Sequence, residues 1–531
     1  MAYSKTPVQD THSSQRLPPV YPLDMRIGVT PGNCTTRVDA GMVNLLPRKV
    51  KEKKDDDPIL HAESRLPICA GEVVSTSNPV RGCYVWQKTA TDVYYFVVVG
   101  MLIYTSTTGL AGSWTAVTSF ITPGVNTPVG FAEFIDASAT KSLVLVDGVE
   151  GYVFTSNAAG TKILDADFPS PHIPCPIFMD GFLFLAKANT ADIYNSDLND
   201  PSAWTTGSFI SSELYPDDVV GLAKINNYLV AIGTRGCEYF YNAANATGTP
   251  LARYDGGVLP FGTSIPYSLA TTENLAVFIA NNNDGEATIK VIEDFKHKEI
   301  DAPWLMPYIN LALNGGADSA NIRGYLIRQN GDLLYCLRVP GTSNTNDAGN
   351  GVFAYSFDAQ QWTEFSCGTE GAMFNVMATH NGTNGNIATF VAGNYFTEDI
   401  AYFGSLGPSS LTSGYFDGYG QDYFNGSSTV VPFQTEVRTM PLDFGTMNRK
   451  FMYRFAVGMT FNDNDVSPDL TLYWSDGDYN FTNSVSLSTD YDFPFATQLG
   501  MFRRRAFKLV SSSPYMVRYK FFEVDINKGQ Q

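Results

Sequence analysis

The stretch NYLVAIGTRGCEYFYNA (227–243) decides the fold, because the chain repeats its pattern seven times. An apolar strand, a short turn with glycine and a second strand ending in aromatic residues are typical of a β-hairpin. The other six hairpins are DVYYFVVVGMLIYTS (92–106), KSLVLVDGVEGYVFTS (141–156), GFLFLAKANTADIYNS (181–196), NLAVFIANNNDGEATIKVIED (274–294), an interrupted hairpin at 331–358 and NIATFVAGNYFTEDIAYFG (386–404).

Successive hairpins start about 40–58 residues apart, a period that indicates a β-propeller. One hairpin with its flanking strands cannot bury both of its faces, whereas blades stacked around an axis can. We expect the apolar strand of each hairpin to lie nearest the axis and the aromatic strand to pack between blades. A two-sheet sandwich array uses the same hairpins but does not need a regular period. The repeat does not decide whether the propeller has six or seven blades.

The rest of the chain divides on composition. Residues 1–75 are polar and rich in proline, and they predict an extended N-terminal arm. The repeat predicts a propeller domain over 76–404, and a loop rich in Gly, Ser and Tyr follows at 405–430. Alternating strands over 431–531 predict a C-terminal antiparallel β-sandwich-like domain. The predicted fold is therefore mainly β.

The charge balance argues against tight nucleic-acid binding. The net charge is −18, and charged residues make up only 17% of the chain. Proteins that grip DNA normally carry a basic stripe, because neutralisation of phosphates drives that binding. Lys and Arg cluster only in RKVKEKK (48–54) and RRR (503–505), and such runs are more often solvated surface than binding patches.

No catalytic, cofactor-binding or metal-binding residue is indicated. The seven Cys and five His are dispersed without zinc spacing, and nucleotide-binding and hydrolase motifs are missing. WSDGDYNF (474–481) resembles the Ser-x-Asp-x-Gly turn of sialidase propellers, but it is a single imperfect copy and more typical of an ordinary hairpin. The N-terminus lacks an apolar signal region, and no apolar stretch is long enough to span a bilayer, so we expect no membrane span.

Three segments of the repeat region resemble the packaged-DNA stabilisation, or tail nozzle (tail hub), proteins of short-tailed bacteriophages. Two C-terminal stretches, DLTLYWSDGD (469–478) and RRRAFKLVSSSP (503–514), resemble the C-terminal strands of the same family. The most specific segment, ADIYNSDLNDPSAW (191–204), carries Tyr194, Ser196, Asp197, Asp200, Pro201 and Trp204. The next segment (231–264) carries Gly233, Arg235, Gly236, Glu238, Tyr239, Pro250 and Gly256. In the third segment (78–104), Arg81 and Gly82 precede the first hairpin.

The resemblance implies a structural virion protein and not an enzyme. Members of this family form rings, usually of six copies, below the portal and its adaptor; they retain packaged DNA and conduct it at infection. The implied partners are further copies of the chain in a hexamer, the tail adaptor (head-to-tail connector), a tail fibre or spike, and genomic double-stranded DNA that passes without tight binding. The implied location is the tail tip of the virion, after synthesis in the host cytoplasm.

Two groups of residues are candidates for assembly or channel contacts. We expect aromatic residues of the 405–430 loop to form a constriction or the adaptor contact; they are Tyr415, Phe416, Tyr419 and Tyr423. We expect the basic run to clamp an acidic neighbour through Arg48, Lys49, Lys51, Lys53 and Lys54. Two alternatives stay open: a carbohydrate-binding or glycan-degrading β-propeller protein of the virion, and a receptor-binding tail protein.

Overall fold

The computed structural model shows a mainly β protein with a small amount of 3₁₀ helix at Pro266–Ser268. It describes residues 12–17, 41–51, 58–66, 68–75, 79–109, 113–121, 127–158, 160–281, 287–302, 305–306, 309–310, 322–329, 331–339, 352–365, 376–381, 387–394, 401–406, 421–424, 429–432, 434–461, 469–477, 480–487, 493–512 and 517–529.

Five strands precede the repeat. They are β1 (His12–Leu17), β2 (Gly41–Val43), β3 (Leu45–Lys51), β4 (Pro58–Ser64) and β5 (Ile68–Ser75). Strand β3 pairs only with β4, whereas the other four strands have partners in the repeat region or in the C-terminal part of the chain.

Seven blades follow, each an antiparallel unit of four strands. Blade 1 consists of β6 (Val80–Gln87), β7 (Val93–Val99), β8 (Leu102–Ser106) and β9 (Thr115–Ile121). Blade 2 consists of β10 (Gly130–Ile135), β11 (Lys141–Val146), β12 (Gly151–Phe154) and β13 (Gly160–Lys162). Blade 3 consists of β14 (Ile177–Met179), β15 (Phe182–Ala186), β16 (Asp192–Asp197) and β17 (Asp200–Ser211).

The remaining blades follow the same order. Blade 4 consists of β18 (Val219–Ile225), β19 (Tyr228–Gly233), β20 (Cys237–Asn242) and β21 (Leu251–Leu259). Blade 5 consists of β22 (Ala270–Thr271), β23 (Leu275–Asn281), β24 (Ala287–Glu293) and β25 (Lys296–Glu299). Blade 6 consists of β26 (Arg323–Gln329), β27 (Asp332–Arg338), β28 (Val352–Ser356) and β29 (Gln361–Phe365). Blade 7 consists of β30 (Val376–Asn381), β31 (Ile387–Asn394), β32 (Ala401–Leu406) and the early strand β5.

The seven blades close into a ring. The first strand of each blade contacts the first strand of the next, and the series ends where β30 contacts β6. The outer strand of blade 7 is β5, which pairs antiparallel with β32. A strand from before blade 1 therefore completes the last blade and locks the two ends of the propeller together. The sequence does not decide between six and seven blades, and the structure shows seven.

The predicted hairpins are the second and third strands of the blades. The strand nearest the axis is instead the first one, which differs from the expectation that the most apolar strand lies there. In β19, Leu229 and Ala231 face blade 3, while Val230 and Ile232 face blade 5. An apolar second strand therefore arises because neighbouring blades cover both of its faces.

The C-terminal strands build a β-sandwich and extend two blades. They are β33 (Gln421–Phe424), β34 (Thr429–Pro432), β35 (Thr435–Arg438), β36 (Lys450–Phe461), β37 (Leu470–Ser475), β38 (Asn483–Ser486), β39 (Phe495–Phe502), β40 (Ala506–Ser511) and β41 (Val517–Lys528). One sandwich sheet has the order β3-β4-β41-β36-β39, with β1 also paired to β41. The other has the order β2-β35-β40-β37-β38 and continues blade 6 through the pairing of β2 with β29. Strands β33 and β34 extend blade 7.

The described strands within residues 1–75 are paired with other strands. Strands β1, β3 and β4 join the first sandwich sheet, β2 joins the second, and β5 joins blade 7. Core residues from both ends of the chain, such as Leu45 and Ile526, lie in one apolar cluster. The polar composition of this segment predicted an arm, but its short apolar stretches pair with strands that lie far away in the sequence.

Candidate functional site

The Ser-Asp…Asp-Pro…Trp stretch forms the outer turn of blade 3. Ser196 is buried, accepts a hydrogen bond from the backbone N of Leu183 (3.0 Å) and donates one to the carbonyl of Asp197 (3.0 Å). Asp197 accepts a hydrogen bond from the Thr205 hydroxyl (2.7 Å). The exposed Asp200 accepts one from the backbone N of Ser202 (2.8 Å). These side chains hold the hairpin between β16 and β17 in shape.

Trp204 anchors this turn to the loop that leads from blade 2. Its buried indole Nε1 donates to the carbonyl of Pro201 (3.1 Å), and its backbone N donates to Asp165 Oδ2 (3.0 Å). The Phe168 ring meets the indole edge-on at 5.3 Å. Tyr194 lies on the same hairpin, stacked on Phe209 at 5.1 Å.

The second motif segment supports blade 4 through a buried carboxylate. Glu238 Oε1 accepts hydrogen bonds from the Ser212 hydroxyl (2.7 Å) and the Leu214 backbone N (2.8 Å). Its Oε2 lies 2.9 Å from Arg253 Nε. Because a buried charge needs partners, Glu238 fixes the loop before β18 to the third and fourth strands of the blade.

The other residues of this segment shape nearby turns. The backbone N of Arg235 donates to Asp217 Oδ2 (2.6 Å), and the carbonyl of Pro250 accepts from Ala243 (2.8 Å). A Cβ atom on Gly233 or Gly236 would meet the side chains of Asp217 and Tyr215, respectively. Tyr239 donates to the carbonyl of Asp294 (2.6 Å), and Gly256 lies beside the Tyr254 ring.

Arg81 and Gly82 join blade 1 to its neighbours near the axis. The buried Arg81 guanidinium donates to the carbonyls of Thr127 (2.6 Å) and Gly100 (2.8 Å), and burial lowers its pKa. Arg323, at the start of blade 6, donates to the carbonyl of Arg81 (3.3 Å). A Cβ atom on Gly82 would come within 2.4 Å of the Val129 side chain. The motif residues that the structure describes thus all have contacts that build or connect blades.

Of the candidate assembly and channel residues, the structure describes Tyr423, Lys51, Lys49 and Arg48. Tyr415, Phe416, Tyr419, Lys53 and Lys54 lie outside the described residues. Tyr423 lies in β33, where its backbone faces Val430 on one side and Cys69 on the other. Lys51 is the last residue of β3, opposite Pro58, and Lys49 is exposed.

Arg48 belongs to a polar groove of about 800 Å³ between the sandwich and blade 6. Its Nη1 lies 3.0 Å from Asp332 Oδ2, and both terminal nitrogens donate to the carbonyl of Gln329 (3.3 Å). On the sandwich side, Glu63 Oε2 lies 3.3 Å from Arg518 Nη2 and 3.6 Å from His61 Nε2. The acidic neighbour that Arg48 meets is therefore a residue of the same chain.

The electrostatics of this groove differ between two of its acids, Glu63 and Asp332. Burial is the largest influence on Glu63 and would raise its pKa, but His61, Arg518 and Arg48 together hold that pKa below its usual value. Burial raises the pKa of Asp332 despite the opposing effect of Arg48. Opposite charges thus pair across the groove, which suits a joint between two domains.

Sequence patterns could not find this groove. Arg48 and Asp332 are 284 residues apart, and Glu63 and Arg518 are 455 residues apart. Within the described ranges, no group of three or more His, Cys, Asp or Glu side chains is placed to hold a metal ion. No helix in the described part of the chain is long and apolar enough to cross a membrane.

Comparisons with solved structures find weak likenesses. A streptogramin B lyase is 11% identical with a TM-score of 0.37, over 64% of this chain and 98% of its own. A catalytically inactive virginiamycin B lyase from Staphylococcus aureus with quinupristin is 10% identical with a TM-score of 0.39, over 68% and 99%. YCF48 bound to D1 peptide is 10% identical with a TM-score of 0.39, over 65% and 97%. These likenesses are too weak to bear on function.

Comparisons at the level of sequence give one finding. No curated protein matches the chain. A family model described as Bacteriophage P22 Gp10, β-propeller, matches residues 70–305, which run from β5 through blade 5. This span contains the segments at 78–104, 191–204 and 231–264, whereas the C-terminal stretches at 469–478 and 503–514 lie outside it. Residues 70–305 are therefore similar to this phage stabilisation family of β-propeller proteins.

Proposed function

We propose that this phage structural protein is the subunit of a tail nozzle or hub ring at the tip of the virion's tail. The ring closes the channel below the portal and adaptor, retains packaged DNA and conducts it at infection. The observation that carries this proposal is the family match over five blades of a closed seven-bladed propeller. The protein acts by assembly and not by catalysis.

The architecture supports a role in which the protein withstands mechanical force. Strand β5 locks the propeller, and the pairing of β2 with β29 continues blade 6 into the sandwich. The Arg48–Asp332 contact adds an ionic link at the same joint. Because both domains are connected by paired strands, force on one of them passes to the other through a continuous sheet.

The charge supports passage of DNA without tight binding. A chain with a net charge of −18 repels the phosphates of a duplex, and it gains little from the counterion release that stabilises protein–DNA complexes. A ring of such chains would keep the genome mobile in its bore.

Two experiments test the proposal. Electron microscopy of the purified protein should show closed rings, with six copies expected, and the rings should bind purified portal–adaptor complexes. Particles assembled without the protein should package DNA and then lose it to added nuclease, while particles supplied with the protein should protect it. Particles that keep their DNA equally well without the protein would exclude the retention role.

Glycan binding is the second candidate function, favoured by one aromatic cluster on blades 4 and 5. The rings of Tyr228, Tyr254 and Phe295 lie within 5.1–5.4 Å of one another, and Tyr254 and Phe295 are exposed. Exposed aromatic faces can stack on the apolar faces of sugar rings. A glycan array that binds the wild type but not Tyr254→Ala would support this function, and no binding by the wild type would reject it.

A further inference from the structure

One end of the sandwich concentrates positive charge in an acidic chain. Six of the 35 Lys and Arg residues meet where β36 begins and where β39 and β41 end; they are Arg449, Lys450, Arg503, Arg504, Arg505 and Lys528. The register explains the meeting, since Lys450 lies opposite both Phe502 and Lys528. Burial lowers the pKa of Lys450, and Lys528 and Arg503 lower it further. We call these residues, with Met447 and Met501, the cationic end.

The inner cations of this end are already engaged. Arg505 pairs with Asp476 (Nη2 to Oδ2, 2.8 Å), and Lys450 donates to the carbonyl of Asn448 (2.8 Å). Arg449, Arg503 and Arg504 are exposed, although one Arg503 nitrogen donates to the carbonyl of Met447 (3.2 Å). Three arginine residues thus keep exposed surface around a fixed centre.

Exposed methionines distinguish this surface from a phosphate-binding patch. Met447 is 56% exposed and Met501 is 64% exposed, and both lie beside the exposed arginines. Protein–protein interfaces are enriched in Met and Arg, and Met adapts its shape to a partner surface. Contacts to a nucleic-acid backbone use the cations and gain nothing from exposed thioethers. The composition therefore favours a protein partner that is acidic and partly apolar.

We propose that the cationic end docks onto an acidic surface of a second copy of this chain, an inference that rests on the ring assembly proposed above. The charge of the chain supplies the complementarity, because the remaining surface carries all of its net negative charge. Subunits in a closed ring contact one another head to tail through two different surfaces. Each copy then offers its cationic end to one neighbour and its acidic surface to the other.

The outer turn of blade 3 fits as the complementary surface. Leu164 is 83% exposed and Leu198 is 58% exposed. Four acidic residues lie close to these two leucines in the sequence; they are Asp165, Asp167, Asp197 and Asp200. Trp204 holds the two loops together through its bond to Asp165 and its packing on Phe168. The exposed leucines and methionines are both apolar and suit contact with each other. The carboxylates of one surface and the guanidinium groups of the other carry opposite charges.

A charge-swap experiment tests this interface. We expect R503E/R504E to weaken self-association roughly tenfold or more, because it replaces attraction across the interface with repulsion. D167R/D200R should have the same effect. An equimolar mixture of the two variants should recover association, because each reversed surface then meets the opposite charge on the other variant. The quadruple variant, in which both surfaces are reversed, should associate with itself at close to wild-type strength. The matched control is K296E/K298E, which reverses two exposed cations on β25 of the propeller.

Sedimentation velocity over a concentration series measures association of any order, and urea unfolding verifies that each variant is folded. R503E/R504E that associates like the wild type would overturn the proposal. A quadruple variant that self-associates no more strongly than the double variants would also overturn it. So would a K296E/K298E control whose self-association is as weak as that of R503E/R504E. Wild-type protein that forms dimers but no rings would contradict the proposed ring. The effect of R503E/R504E on dimer formation would still test the role of the cationic end. Loss of DNA binding without loss of self-association would assign the cationic end to nucleic acid instead.

Discussion

At the scale of single residues, His172 shows how burial fixes a protonation state. The side chain is buried in the loop that enters blade 3; its Nδ1 lies 2.8 Å from the carbonyl of Pro169, and its Nε2 accepts from the backbone N of Gly148 (3.3 Å). This pattern requires a neutral ring with the proton on Nδ1. Burial lowers the pKa of His172 to about 4.

We therefore predict that His172 makes the protein less stable in mild acid. Between the unfolded pKa near 6.5 and the folded value of about 4, the unfolded chain binds the proton more tightly, so stability is lost as the pH falls. The loss approaches about 3 kcal/mol in the free energy of unfolding. Urea titrations at pH 7 and pH 4.5 should show a smaller pH effect in His172→Gln than in the wild type. His297→Gln, at an exposed position on β25, should keep the wild-type pH effect.

Gly324 shows a different residue-scale constraint, the close approach of neighbouring blades. A Cβ atom at this position would lie 2.1 Å from the backbone oxygen of Ser268, which also accepts a hydrogen bond from Tyr335. Gly324→Ala should therefore destabilise the protein by about 1–3 kcal/mol, because backbone must shift to admit the methyl group. Gly477→Ala, with no atom within 4 Å of its Cβ, should stay within about 0.5 kcal/mol of wild type in the same urea unfolding assay.

At the scale of elements, β5 decides whether the propeller is closed. Val74 lies in the cluster between blades 7 and 1 with Val80, Phe390 and Phe403, whereas Val73 next to it is 37% exposed. Val74→Asp should cost about 3 kcal/mol or more, since it buries a charge in that cluster. Hydrogen exchange should accelerate in β32 and β5 before the other blades. Val73→Asp is the matched control, and equal damage from both changes would contradict the closure role.

The sequence predicts some elements better than others. The seven hairpins are confirmed, because second and third strands such as β19 and β20 are covered on both faces and carry a strong apolar pattern. First and fourth strands are less distinct, since β14 has three residues and all four residues of β25 are exposed. No local pattern could show that β5 pairs with β32, because that pairing depends on the closure of the whole ring. The motif residues were found by resemblance, but their roles as blade connections needed coordinates.

At the scale of the whole molecule, the joint between sandwich and propeller is a separate source of stability. Arg48→Gln would leave Asp332 buried without its cation, and removing one partner of a buried pair typically costs about 3–5 kcal/mol. Because Asp332 already has a raised pKa, part of that loss should disappear at low pH, where its carboxyl is protonated. Differential scanning calorimetry at two pH values measures both effects.

The control for this prediction is Arg16→Gln. Arg16 also pairs with an acid, Glu523, at 3.4 Å, but its side chain is 70% exposed. Exposed pairs contribute about 0–1 kcal/mol, so this change should barely move the transition. If Arg48→Gln were as mild as Arg16→Gln, the sheet continuity between β29 and β2 would hold the joint without ionic help.

The shared sandwich has a consequence for how the protein is made. Arg16 and Glu523, which lie on paired strands, are 507 residues apart in the sequence. While the ribosome is still translating the blades, β1 and β4 have emerged but their partner β41 does not yet exist. The early strands must therefore wait for this partner until β41 has been synthesised. A polypeptide released too soon therefore lacks a complete sandwich.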